Sequence, residues 1–332
     1  MFIPLAMRNM GVDYEEYVRG YLSTSVNWSS FWHKYLGRPE PLYVLLNYLA
    51  RWTFHNYQGV NIICAALSVG FTFAGIYKFK DKVNIGAAIW CFGFLYYIMM
   101  YGLNRMMISV SIISWAWQYY FSRNTKKFII WSVISGLFHY AGLLMIPLYF
   151  VLKWMEGKSF TLKSIKWFRM IISVFAILTI IYVVVPKIFG NYIWFIRYSK
   201  YFELSFNLSA LNNNAATYLL VILVIVYRKK LSDYLEEYKS LTTMLFMYIV
   251  LSFASVIMPI HRITYYFYPV CVLLYSAIPT AGVLSFGNGH KKIISNIVYY
   301  LMILLMGFLW IYQFLSNDLW GRFLIPYRWG TL

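Results

Sequence analysis

The chain has 332 residues, of which 61% are hydrophobic and only 12% charged. So little charge over that length excludes an ordinary soluble domain. The net charge of +18 lies in short segments between apolar runs, where Lys and Arg set membrane orientation, so no nucleic-acid partner is expected.

Residues 1–58 are mixed in polarity, and Met1–Met7 is apolar but too short to span. Pro41–Tyr57 carries Leu42, Leu45, Leu46 and Leu49 at helical spacing, interrupted by Asn47, Arg51 and His55, which predicts an interfacial or re-entrant helix. The first span is Val60–Tyr77, followed by the basic turn 78–82. The second is Val83–Met100, and the third runs from Asn104 to Phe121, before Ser122–Lys127. Phe128–Leu152 is apolar but broken by Gly136, His139, Gly142 and Pro147. After the basic segment Lys153–Arg169 come Met170–Val185 and a polar, aromatic loop over 187–214. Further spans are Ala215–Tyr227, Leu241–Met258, Ile263–Ser285 and Ile293–Leu315, ahead of a mixed tail, 316–332. The expectation is all-α: one polytopic transmembrane helical bundle over 1–332, with the spans in 59–315, nine or ten crossings and one or more re-entrant or half helices.

Segments 78–82, 122–127, 153–169, 228–239 and 291–292 hold 17 of the 29 Lys and Arg, which places them on the cytoplasmic side. Segment 128–152 then has cytoplasmic loops at both ends. It either enters and returns as two half-spans of about 12 residues with His139 and Gly142 at the turn, or crosses once at a tilt. With the hairpin, 1–58, 101–105, 187–214, 259–262 and the tail all face outward.

That outer side gathers the chemistry. Arg105 opens an apolar helix, where a charge is costly unless paired or wet; it is either an interfacial arginine or an anion site. His139 is either satisfied by a backbone carbonyl or acts as a donor or proton carrier in an outer cavity. His261 and Arg262 mark the outer end of a span. They are interfacial anchors or, with Arg105 and Arg197, a phosphate cluster, since guanidinium groups bind phosphate oxygens in pairs. Arg8, Asp13, Glu15, Glu16 and Arg38 complete the outward set. The acidic cluster is a solvated face or the source of a base for a sugar hydroxyl. Cys64, Cys91 and Cys271 lie in apolar runs and predict neither a disulfide nor a metal site. No GxxxxGK[ST], HExxH, GxSxG or DxD pattern is present, so neither a cofactor nor a metal is expected.

Several segments together resemble the EpsG/Wzy family of bacterial polysaccharide polymerases. They are Arg8–Tyr17, Glu40-Pro41-Leu42-Tyr43-Val44-Leu45-Leu46-Asn47, Asn104-Arg105 with Ile108, Ser109 and Ile112, Phe138-His139-Tyr140-Ala141-Gly142-Leu143-Leu144, and Arg262 followed by Tyr266-Phe267. They occur in the family's order over roughly 8–270. The glutamine that usually follows the arginine is Met106 here, and only seven residues precede Arg8, where the family carries an apolar span.

The resemblance implies a GT-C-like bundle in the bacterial inner membrane. Its metal-independent glycosyltransferase site would open on the periplasmic face and join oligosaccharide repeat units carried on undecaprenyl diphosphate, as both donor and acceptor. It also implies a bilayer setting and a chain-length regulator as partner. On that reading Arg105, Arg262 and Arg197 hold the diphosphate, and His261, Arg8 and Arg38 lie nearby. Asp13 or Glu16 serves as base, and His139 orients or donates. Trp28, Trp32, Tyr35, Trp194, Tyr198 and Tyr201 are either interfacial or stack on sugars. The rivals are a flippase for the lipid-linked unit, an O-antigen ligase and an acyltransferase. A flippase should show two related halves with discontinuous helices, a ligase a large outer loop, and an acyltransferase an early His-centred motif.

Overall fold

The computed structural model describes residues 1–24, 40–156, 215–257 and 261–285 continuously, with isolated positions or short pieces at 27, 29, 171–191, 206, 297–312 and 328. Regular structure among the described residues is helical. The chain folds as two compact units. One comprises Met1–Asp81, Ile85–Leu143 and Ile303–Leu332, the other Lys82–Asn84 and Leu144–Met302.

The first unit is built from α1 (Phe2–Ala6), α2 (Tyr14–Leu22), α3 (Pro41–Thr53), α4 (Gln58–Tyr77), α5 (Ile85–Phe92), α6 (Asn104–Phe121) and α7 (Thr125–Phe138). Pro41 opens α3, where its fixed φ suits a first helical position and its missing N–H costs nothing. The predicted second span is a single apolar run in three geometries: α5 is followed by a π-helical turn, Gly93–Tyr97, and a 3-10 turn, Ile98–Tyr101. At the start of α7 the side chain of Asn124 accepts a hydrogen bond from the Lys127 amide at 3.1 Å, satisfying a donor that the helix itself cannot.

Small and hydroxylated residues let α4 and α6 approach closely. Thr72 Oγ1 donates to Ser111 Oγ at 3.0 Å, and a Cβ on Gly75 would lie 2.7 Å from the Ser114 carbonyl oxygen. The two helices run in the same direction, because Asn104 meets Tyr57 at one end and the rings of Phe79 and Phe121 lie 5.4 Å apart at the other. Helix α7 returns antiparallel to α6: Phe128 packs on Trp117 and Tyr120, and Ser135 reaches Ser109. The basic turns that follow α4 and α6 therefore share one end of this unit, as their charge predicts. Tyr57, Asn104 and His139 mark the opposite end. The N-terminal segment is tied in by Gln58, which donates to the Ala6 carbonyl, and by Asn61 Nδ2, which donates to the Arg8 carbonyl at 3.1 Å. The Asn9 amide donates to the carbonyl of Arg328 at 2.8 Å.

The second unit contains α8 (Met145–Glu156), α9 (Ala215–Val226), α10 (Arg228–Tyr234), α11 (Tyr238–Ala254), α12 (His261–Thr264) and α13 (Tyr268–Ser285). Helix α11 packs on α8 and α13. Lys153 bridges to Glu156 at 2.8 Å, Ser240 donates to the same carboxylate, and Lys82 pairs with Glu237.

Among the described residues one helix, Gln58–Tyr77, is long and apolar enough to cross a membrane; Ile85–Tyr101, Thr217–Val226 and Tyr238–Ala254 are apolar but shorter. The predicted spans Met170–Val185 and Ile293–Leu315 lie only partly within the described residues and are helical where they are described. The predicted break near His139 is present. Helix α7 stops at Phe138, His139 is extended at φ −156° and ψ 119°, and a 3-10 turn, Tyr140–Leu144, leads to α8.

Candidate functional site

At the end of the first unit opposite its basic turns, three segments bring Glu40, Arg105 and His139 together. Glu40 precedes α3 and is 1% exposed. Its backbone is left-handed, φ 65° and ψ 66°, a conformation that a side chain with a Cβ adopts only where its surroundings impose it. One carboxylate oxygen, Oε2, accepts from Arg105 Nη1. The other, Oε1, pairs with His139 Nδ1.

Each partner is fixed by its own element. Arg105 lies in the first turn of α6, and its guanidinium carbon sits 5.6 Å from the centroid of the Tyr17 ring and 5.8 Å from that of Tyr43. Cation–π contact on two rings steers the group while leaving its side chain 30% exposed. His139 follows the last residue of α7. Its amide donates to the Ser135 carbonyl at 3.0 Å and its carbonyl accepts from Gly142 at 2.8 Å. Ser135 is in turn locked to Ser109, hydroxyl to carbonyl at 2.9 Å, so the ring is aimed by two bonded helices.

Burial alone would push the Glu40 carboxyl up. The charges of His139 and Arg105 and their hydrogen bonds outweigh it and hold the carboxyl below the ordinary carboxylate range. Glu40 is thus an ionised carboxylate with a donor on each oxygen.

The other predicted site residues divide into three groups. Arg8 is 1% exposed and turned inward. Its guanidinium donates to the Leu5 carbonyl at 3.0 Å and to the Asn104 side chain, and it stacks over Tyr101 at 5.4 Å. It braces the residue before Arg105. Asp13 stands at the start of α2, half-buried, and its charge reaches Tyr17, as that of Arg105 does; Glu16 is on the exposed face of α2. His261 and Arg262 open α12 in the second unit, where burial and the Arg262 charge pull the His261 imidazole down to about 4. Arg38 and Arg197 lie outside the described residues, as do Trp28, Trp32, Tyr35, Trp194, Tyr198 and Tyr201.

Of the predicted residues, the structure unites Arg105 and His139. The sequence reading missed what joins them. Glu40 stood inside a recognised segment, Glu40-Pro41-Leu42-Tyr43, but a carboxylate before a proline gives no sign of burial. The sign available was the scarcity of acidic residues on the outer side, set against its many cations.

Chemically, a carboxylate–imidazole pair can take up and return a proton, and a flanking guanidinium stabilises developing negative charge. Among the described residues no group of three His, Cys, Asp or Glu side chains is placed to hold a metal ion.

No curated protein and no solved structure matches the chain. The family model described as "EpsG family" matches residues 1–329. That match spans the N-terminal segment, the Glu40–Arg105–His139 cluster and both units. The chain belongs to the EpsG family, and with its apolar, helical make-up it is a membrane protein with a polysaccharide-polymerase-like role.

Proposed function

We propose that this protein is a Wzy-type polymerase that joins oligosaccharide repeat units carried on undecaprenyl diphosphate. It acts at the periplasmic face of the bacterial inner membrane, as a multi-pass, GT-C-like bundle that works without a metal. The acceptor is a second lipid-linked unit, and a chain-length regulator is its expected partner. The observation that carries the reading is the buried Glu40–Arg105–His139 cluster at the end of the first unit opposite the basic turns. The positive-inside rule assigns those turns to the cytosol, so the cluster faces the side where lipid-linked glycans are assembled.

The chemistry follows from the charges. Departure of a lipid diphosphate places negative charge on its oxygens, and a fixed, partly exposed guanidinium such as Arg105 lowers the energy of that charge at any working pH. Arg262, Arg197 and Arg38 are the further cations that the sequence pattern offers to the substrate, with His261 beside Arg262 as a neutral hydrogen-bonding group. Arg8 contributes from behind, by holding Asn104.

Cell-surface glycan length tests the reading. Arg105→Ala and Arg262→Ala strains with matched protein levels should carry short glycan; full-length chains in both would remove the proposed role. A deletion strain should accumulate single-unit glycan at the outer face, whereas accumulation at the inner face would indicate a flippase.

A further inference from the structure

We propose that His139, held by Glu40, takes the proton from the acceptor sugar's hydroxyl, with Glu40 as the positioning residue. This assignment rests on the glycosyl-transfer reading above and moves the base away from Asp13.

The geometry separates the two residues by role. Glu40 is too buried to meet a sugar, and both of its oxygens are engaged. His139 has one ring nitrogen, Nδ1, on Glu40; its other nitrogen, Nε2, has no hydrogen-bond partner among the described residues, and the side chain keeps 11% of its surface. A ring held at one nitrogen and open at the other is the arrangement of a general base backed by a carboxylate. The backbone points the same way. Glu40 is one of three non-glycine residues with positive φ among the described residues, and it is the buried one; such strain persists where the surroundings fix a functional group. Arg105 on the second oxygen keeps the carboxylate ionised, and an ionised carboxylate stabilises the imidazolium that forms.

The step balances as follows. The acceptor O–H gives its proton to His139 Nε2 while its oxygen bonds to the anomeric carbon of the donor sugar. The bond from that carbon to the diphosphate oxygen breaks, and the electron pair leaves with the undecaprenyl diphosphate, facing Arg105. His139 then returns the proton to water.

The charged and titratable groups of the cluster are Glu40 before α3, which pairs with the imidazole, and Arg105 on α6, which pairs with Glu40 and lies over Tyr43 on α3 and Tyr17 on α2, with Asp13 reaching the set through Tyr17. Of these only Glu40 touches the ring directly among the contacts described, so its removal should act most directly on the ring.

The experiment uses membrane vesicles containing the full chain, fed with the lipid-linked unit extracted from a polymerase-deletion strain, with polymer formation followed against pH. If wild-type vesicles form no polymer from an intact lipid fraction, the polymerase reading itself fails. If they do, the rate should fall on the acid side. His139→Gln should slow it by about 10²- to 10⁴-fold and erase that acid limb. Added imidazole should restore part of the rate of His139→Ala, which an unfolded variant would not permit. Glu40→Gln should slow the reaction at least about tenfold and move the acid limb to lower pH, because the imidazolium loses its anion, and Glu40→Asp should recover part of both. An unchanged rate and limb in His139→Gln, or a limb that vanishes in Asp13→Asn, would overturn the assignment.

Discussion

Arg8 and Asn104 stand 96 positions apart in the chain, and the guanidinium of one donates to the side-chain oxygen of the other inside the first unit. Asn104 is the residue before Arg105, so the N-terminal segment braces the turn that presents the site's guanidinium. Arg8→Ala strands two buried acceptors, Asn104 Oδ1 and the Leu5 carbonyl, and empties the space over Tyr101. The expected loss is about 2–4 kcal/mol, read as a lower thermal midpoint of the detergent-solubilised protein. Arg8→Lys should not recover it, because one ammonium cannot reach both acceptors with the guanidinium's geometry.

Removing Glu40 leaves the Arg105 guanidinium and the His139 Nδ1 without their shared acceptor around a buried gap. Glu40→Ala should therefore cost about 3–5 kcal/mol, more than the partly exposed Arg105→Ala. The double variant should be less damaged than the sum of the singles, with a coupling of about 0.5–3 kcal/mol in a thermal-unfolding cycle. Strict additivity would mean that the pair stabilises nothing. The pH dependence has a definite sign. A carboxyl held low in the folded state stabilises fully above its unfolded value, and that contribution is lost as pH falls through the folded one. Glu40→Gln should flatten this acid loss.

His261 predicts a second, separate pH effect. Its folded imidazole is pulled down to about 4, whereas an unfolded histidine protonates near 6.5. Between those values the unfolded chain binds the extra proton, so stability is full above about 6.5 and declines as pH falls toward 4. The thermal midpoint of His261→Gln should change less across that window than that of the unaltered protein; equal slopes would contradict the shift.

Gly142 tests the turn that aims His139. A Cβ there would lie 2.3 Å from Ser135 Oγ and 2.8 Å from Ser109 Oγ, both in the hydroxyl pair that joins α6 to α7. Gly142→Ala should cost about 1–3 kcal/mol and lower polymer formation in folded protein. Adding Ser135→Ala, which removes the nearer oxygen, should restore part of both. A fully active single variant would show that the turn tolerates displacement.

Much of the fold was legible because apolar periodicity reports what a helix buries. The third span was predicted to begin at Asn104 and end at Phe121, as α6 does; Val60–Tyr77 differs from α4 by one half-turn; and the break at His139 is where the pattern placed it. The π and 3-10 turns of 93–101 were not legible, since an uninterrupted apolar run looks the same at each helical pitch. The site was half legible. Arg105 and His139 stood out as ionisable groups in apolar surroundings. Glu40 did not, because its burial depends on α6 and α7 closing over it from 65 and 99 positions away. Arg8 was expected to face outward for the same reason: nothing near it in sequence announces Asn104.

The bond between Asn9 and Arg328, with the Arg328 amide also donating to the Met10 sulfur at 2.9 Å, has an arithmetic meaning for a membrane chain. Two stretches that hydrogen-bond to each other share a leaflet. A path that departs from one surface and finishes on that same surface has traversed the bilayer an even number of times. An even count is therefore expected, which the eight complete spans of the sequence reading meet when 128–152 enters and returns and which a ninth, tilted crossing there would break; reporters fused at either terminus should light up in a single compartment.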